Sequence, residues 1–258
     1  MRLYFSYFSM HMKSQMQYKG NFVMLFVGQF LVAFAAVISI AFLFARFNQV
    51  DGFTFSEVLL CYAVMLMAFT LAETFGRGFD RFPVMIGNGE FDRALVRPRG
   101  LIFQVLVSQM DLTRLGRVVQ ALLVFAYALP TSGVAWTPDK VLTLALMVIC
   151  GALLFFALFV VYAALSFFTL EGLEFMNILT DGGREFGSYP FSIYGNDILR
   201  FLTYVIPLAL VQFYPLLYLT GRSTSPLHMF TPVISLLFLF PAYGLWRFGL
   251  RKYKSTGS

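Results

Sequence analysis

The chain reads as an all-α, polytopic membrane protein with six spanning helices, and three observations support that reading. Six long stretches carry no charge: Phe22–Ala45, Val58–Ala72, Val118–Pro138, Val141–Leu170, Phe201–Gly221 and Ser223–Trp246. Basic residues crowd one side of each. Hydrophobic residues make up 59% of the 258 positions and charged ones only 12%, well outside the norms of soluble domains. Backbone groups in lipid must pair internally, which leaves helices or closed barrels, and the unbroken apolar runs exclude the alternation of a barrel.

Residues 1–20 precede the first span. At 100° per residue Met1, Phe5, Phe8, Met12 and Met16 share one stripe, and Arg2, Ser6, Ser9, Lys13 and Gln17 share a neighbouring one. An apolar face beside a cationic face predicts a helix lying flat in the headgroup layer, with His11 touching headgroups. The 24-residue run that follows is too long for the core of a cleaved signal.

A helix rises about 1.5 Å per residue, so roughly 20 apolar residues cross a hydrocarbon core. Five of the six stretches reach that length. The second is shorter, and Phe53–Phe75 spans fully if Glu57 and Glu73 sit at the two headgroup layers. Cys61 and Cys150 fall inside spans and read as small buried hydrophobes. With the N-terminus inside, 16 of the 19 basic residues lie inside and only Arg46, Lys140 and Arg222 outside, which orients the bundle. The net charge of +6 is therefore a matter of topology, and no nucleic-acid partner is expected.

This orientation makes the outer connections short and the inner ones, Gly76–Arg117 and Glu171–Arg200, long. In the first, glycines and prolines punctuate charged segments. Glu90–Arg97 is expected to form two turns of helix, with Glu90 and Asp92 near its start and Arg97 near its end, complementing the dipole. Such a helix set crosswise under a bundle transmits force; a solvated loop held to anionic lipid is the alternative.

No charged residue is expected in the central part of any span. Proton-coupled carriers and voltage sensors place ionisable groups there, so active transport would draw its energy from elsewhere. Yet the chain holds no phosphate-binding G-x-x-x-x-G-K-[ST] loop; Gly182-Gly-Arg-Glu-Phe-Gly187 lacks the lysine and hydroxyl. His11 and His228 lie on opposite sides, and neither G-x-S-x-G nor H-E-x-x-H occurs. No catalytic or metal site is expected. Five of the ten prolines fall within residues 207–241. They predict either a partial hairpin over Tyr214–Pro232 or a kinked ordinary span.

Gly89-Glu-Phe-Asp-Arg-Ala-Leu-Val-Arg-Pro98, Tyr189-Pro-Phe-Ser-Ile-Tyr194, Leu199-Arg-Phe-Leu-Thr203, Ile206-Pro207 and Tyr214-Pro215, in that order, resemble the bacterial ABC type-2 permeases, in the branch related to daunorubicin and viologen exporters. The resemblance covers nearly the whole chain, as one permease domain of residues 1–258. It implies a permease subunit of an ATP-driven exporter in the bacterial plasma membrane, with both termini cytoplasmic. Two copies of a cytosolic ABC ATPase would bind ATP and magnesium, so this chain would need no cofactor. A second permease, identical or homologous, would complete the assembly in membrane lipid. The family's coupling helix maps onto Arg77–Arg97, within a coupling region of residues 76–117. That makes Arg77, Arg81, Glu90, Asp92, Arg93 and Arg97 the candidate ATPase contacts. The family's re-entrant segment maps onto residues 214–232, with Tyr214, Pro215, Arg222 and Pro226 as an outer gate. The 32 phenylalanines suit an amphiphilic or lipophilic cargo. A lipid-handling or importer-like permease and a non-transporting membrane scaffold or sensor are the alternatives.

Overall fold

The computed structural model describes residues 2–169 and 173–254. Met1, Leu170 and Glu171, used above, lie outside the described residues, as does the side chain of Arg2. The architecture is all-helical, with no strand among the described residues.

Five helical stretches are long and apolar enough to cross a membrane: Lys19–Arg46, Phe55–Gly87, Leu112–Thr131, Pro138–Leu165 and Leu227–Lys252. They contain α2 (Lys19–Arg46), α3 (Phe55–Asp80), α7 (Leu115–Thr131), α8 (Pro138–Leu165), and α14 (Leu227–Ser235) continued by α15 (Leu239–Lys252). Helix α3 is the hub. Almost its entire surface from Ser56 to Thr70 is buried, packed between α7 and α8. Thr54 starts it with a capping box: its hydroxyl accepts from the Glu57 backbone N–H, and the Glu57 carboxylate accepts from Thr54 N–H at 2.7 Å. Tyr62 crosses to α2 and α7, with its hydroxyl 2.6 Å from Ala33 O and 3.1 Å from Gln120 Oε1. The cysteines are free and buried, as expected of small hydrophobes.

Helix α1 (Arg2–Met16) keeps Phe5, Met12 and Met16 exposed, the apolar face that the sequence pattern describes. Ser6, Ser9 and Lys13 on the neighbouring stripe are exposed too, and a third face docks on the protein. His11 Nε2 lies 2.9 Å from Val107 O, and the Gln15 amide bonds Met110 O and Leu112 N–H. His11 therefore satisfies a helix-end carbonyl rather than a headgroup.

Between the basic end of α3 and α7, Pro83, Gly87, Gly89, Pro98 and Gly100 break the chain into α4 (Phe82–Gly87), α5 (Glu90–Leu95) and α6 (Leu101–Ser108). Gly78 lets α6 lie directly on α3, because a Cβ there would overlap the Val105 carbonyl oxygen.

The last third corrects the sequence reading. After α8 the chain forms α9 (Phe175–Leu179), α10 (Asp181–Phe186) and a 3-10 turn at Phe191–Tyr194. Gly187 faces Met65 and Gly183 faces Phe155 and Leu208, and then Ser192 bonds Asp51 in the α2–α3 connection. This segment thus climbs the bundle to the end opposite the basic residues. Residues 173–200 are not an inner loop, and neither Arg184 nor Arg200 lies in one. The sixth crossing is made by broken helices of low hydropathy, so a search for uncharged runs passes over it.

The apolar run Phe201–Gly221 is not a straight span either. Helix α11 (Asn196–Tyr204) meets α12 (Leu208–Val211) and α13 (Phe213–Leu219) at a bend of 86°, where Pro207 cannot continue the hydrogen-bond ladder. Residue 195 follows the turn beside Asp51, and Lys140 Nζ bonds Leu219 O at 2.9 Å near the start of α8. Both ends of the bent pair therefore lie at the same end of the bundle, as a re-entrant element requires. Gly221, at φ +72°, then turns the chain into α14. The reversal near Gly221-Arg222 is where it was expected, but its bounds differ. The re-entrant element is residues 196–219, and Pro232 lies inside the last long helix.

Gly78→Val should force α6 off α3 and lower the thermal midpoint of the purified protein, costing about 1–3 kcal/mol as overpacking does. Gly100→Ala, where nothing lies within 4 Å of the added carbon, should leave the midpoint unchanged.

Candidate functional site

Helix α5 owes its position to aromatic packing. Phe91 and Ala94 are buried, and the Phe91 ring sits 4.9 Å from Phe82, 5.6 Å from Phe167 and 5.1 Å from Tyr253. Trp246 closes the cluster, 5.0 Å from Phe82 and 5.5 Å from Phe79. These ring contacts, mostly edge-to-face, lock α5 to α4, to the turn after α8 and to the end of the last helix at once. Tyr253 also donates to Asp92 Oδ1 at 3.0 Å. Burial and this bond push the Tyr253 phenol above its ordinary range.

The expected contact residues divide accordingly. Arg81, Glu90, Arg93 and Arg97 are exposed, whereas Asp92 is held by Tyr253 and Arg77 is turned inward. Leu95 and Val96 add an exposed apolar tip, Val96 being 83% accessible. Between this surface and α1 runs a groove of about 380 Å³ lined by Tyr7, His11, Glu90, Arg93, Arg97 and Phe103 among others.

Arg77 belongs to a buried charge centre. Glu73, 3% exposed, accepts from three guanidinium groups: Arg114 at 2.6 Å, Arg77 at 2.8 Å and Arg117 at 3.3 Å. Arg77 also reaches Asp80 at 2.7 Å, and Arg114 reaches Asp111 at 3.1 Å. Burial acts to raise the Asp111 carboxyl, but the Thr113 bonds and Arg114 outweigh it and hold it below its ordinary value. A lone carboxylate at this depth would cost several kcal/mol, and the arginines repay that cost only as a set. Glu73 therefore ties α3 to α7 and does not face a headgroup layer. Arg114 and Arg117 were missed as site residues because they flank an apolar run. Their i, i+3 spacing, opposite Glu73 and Arg77 at i, i+4, was the available signal.

At the other end Arg222 is the organiser. Its Nη2 donates to Glu57 Oε2 at 2.9 Å and to Gly52 O at 2.7 Å, and its guanidinium lies 3.8 Å over the Phe53 ring. One side chain thus joins the turn after α13 to the α2–α3 connection. Tyr218 donates to Asp139 Oδ2 at 2.7 Å. Tyr214 stands 3.3 Å from Thr203 Oγ1 and 5.4 Å from the His228 ring, so it bridges α11 to α14. Pro215 is buried in α13, and Pro226 is exposed at the start of α14. Within the turn Ser223 N–H bonds Leu217 O and Ser225 N–H bonds Ser223 Oγ.

A six-crossing bundle with a short anchored helix at its basic end, and a re-entrant element at the other, describes a membrane permease. Residues 30–257 match the family model described as ABC-2 family transporter protein. The chain belongs to the ABC-2 transporter family. No curated protein and no solved structure matches it. As an ABC-2 family member it is a multi-pass membrane transport permease, and membership implies association with an ABC ATPase. The match begins inside α2, leaves out α1, and takes in the Glu73 centre, α5 and the Arg222 cluster.

In this ABC-2 permease Glu73→Gln should remove the anion that three inward guanidiniums share, leaving Arg77 and Arg114 one carboxylate each and stranding Arg117, and cost about 3–5 kcal/mol, as breaking a buried pair does. The measurement is thermal unfolding of the purified permease. Arg93→Gln, at an exposed position, should fall within about 0.5 kcal/mol of the parent.

Proposed function

We propose that this chain is the permease subunit of an ATP-driven exporter, with its basic end cytoplasmic and with α5 as the helix that receives motion from a separate ABC ATPase. The observation that supports this most directly is the mounting of α5. Its outward side presents Glu90, Arg93 and Arg97, while Phe91 is fully enclosed among Phe82 of α4, Phe167 just past α8 and Tyr253 just past the last helix. A displacement applied to the polar side has no soft element to absorb it, so it moves α3, α8 and the last helix as rigid bodies.

In this reading two ATPases, carrying ATP and magnesium, serve a pair of permeases, identical or homologous, in the bacterial plasma membrane. The Arg222–Glu57 contact, with Tyr214, Pro215 and Pro226 nearby, forms the outer gate. That gate opens when the re-entrant element separates from the α2–α3 connection.

The cargo in this proposal is amphiphilic. A groove of about 300 Å³ between α2, α3 and α7 is lined by Phe30, Phe34, Phe55 and Tyr127 and carries the amide of Gln120. One end of that amide faces Tyr62 and the other has no partner. An apolar body with one polar group suits such a lining.

Arg93→Glu combined with Arg97→Glu should lower the ATP hydrolysis of the reconstituted complex at least severalfold while leaving membrane insertion intact. Unchanged co-purification and unchanged turnover would remove α5 from the coupling role. A single cysteine at position 90 in a cysteine-free background should react with an impermeant reagent only in inverted vesicles. Labelling from outside intact cells would reverse the topology.

A further inference from the structure

The sixth crossing carries charge about one turn further into the bundle than the Glu73 centre. Arg184 lies on α10 with its guanidinium 5.3 Å from the centre of the Phe69 ring. Phe69 is about 21 Å from the start of α3 and about 17 Å from its end, at about 1.5 Å per residue. Neighbouring contacts agree with that depth, since Gly183 faces Phe155 and Gly187 faces Met65, both well inside their helices.

The crossing is broken to bring this about. Glycine at 187 is required because a Cβ would overlap the Met65 side chain. The carbonyls that the break releases are met by Gln212, whose Nε2 lies 3.0 Å from Tyr189 O and 3.4 Å from Gly187 O. Irregular backbone whose freed carbonyls are met by a side-chain amide, at the depth of an ionisable side chain, is how membrane carriers build sites for charged ligands.

The two charges at this point are held unequally. Arg184 has a side chain only 12% exposed, packed on Phe69, and its buried Nε has no hydrogen-bond partner. It donates from Nη2 to Glu185, whose side chain is 56% exposed and free to turn outward. The cation is therefore the fixed element and the carboxylate the displaceable one. Such a pair suits an incoming anion, which would take Glu185's place on the guanidinium and, as that carboxylate turns away, engage the unpartnered Nε–H as well, in the paired geometry that arginine offers carboxylates and phosphates. A cation would find only a mobile, half-solvated carboxylate beside a fixed like charge.

We propose that Arg184 is the recognition group for an anionic moiety of the cargo (a carboxylate, phosphate or sulfate), with Glu185 as the counter-ion it displaces. This rests on the transport reading and narrows its cargo to anionic amphiphiles. Reporter cysteine Phe186→Cys, in a background of Cys61→Ala and Cys150→Ala, tests it in the full-length chain in lipid nanodiscs. The probes are 2-sulfonatoethyl methanethiosulfonate, an anion, and 2-(trimethylammonium)ethyl methanethiosulfonate, a cation. Their rates are normalised to those with a free thiol.

The anionic reagent should react about tenfold faster, the scale on which a local charge steers a small ion. Arg184→Gln should bring the ratio close to one, Arg184→Lys should preserve most of it, and Glu185→Gln should raise it. No reaction with either reagent would overturn the site as a water-accessible one. A ratio that neither Arg184→Gln nor Glu185→Gln alters would overturn Arg184 as its selector. Should Arg184→Gln fail to fold, the Glu185→Gln arm decides alone. The labelling needs neither cargo nor ATPase, so failure of the coupling experiment and failure of this one are distinguishable.

Discussion

One carboxylate holds the basic end of the bundle together. Glu73 receives Arg77 from its own helix and Arg114 and Arg117 from the segment that begins the next crossing. Charges at that depth are tolerated only in mutual contact, so α3 and α7 cannot separate or slide there without exposing an unpaired ion. Because α3 is also the element that α8, α6 and the broken crossing pack on, its fixed registry with α7 sets the placement of the rest. The short helices beneath the bundle begin about two and a half turns beyond Glu73, and their position follows from it.

Two further contacts convert this frame into a device with two ends. The aromatic cluster around Phe91 and Trp246 is apolar and closely packed, as the proposed coupling requires. The Arg222 contact at the far end is of another kind. It consists of charge-assisted bonds and a ring face, partly open to solvent, joining a turn to a connection. Bonds of that sort are made and broken with less reorganisation than a packed core, which suits an end that opens. Between them lies Arg184, on the crossing with the least regular backbone.

Much of the candidate site was legible in advance, because local chemistry determined it. Glycine and proline around residues 83–100 predict a short helix, and it forms at Glu90–Leu95. The inward turn of Arg77 and Asp92 was not legible, since it depends on Arg114 and Tyr253, which are distant in sequence. The same holds for Arg184. The segment around it reads as a polar loop, and only the approach of Gly187 to Met65 and of Ser192 to Asp51 shows it crossing the bundle. Counting uncharged runs fails there because satisfied polar backbone and paired charge replace apolar length.

By itself the sequence determined the all-helical membrane class, five of the crossings, the amphipathic first helix and the reversal near Gly221. Those follow from hydropathy, period and backbone freedom, which act over a few residues at a time. The tertiary structure alone decided which apolar run is a span and which is a bent, re-entrant pair. It also decided which arginines are buried with a partner and which face outward, and where a charge is carried into the bundle. Each of those turns on desolvation, and whether a charge is desolvated depends on what other segments bring against it.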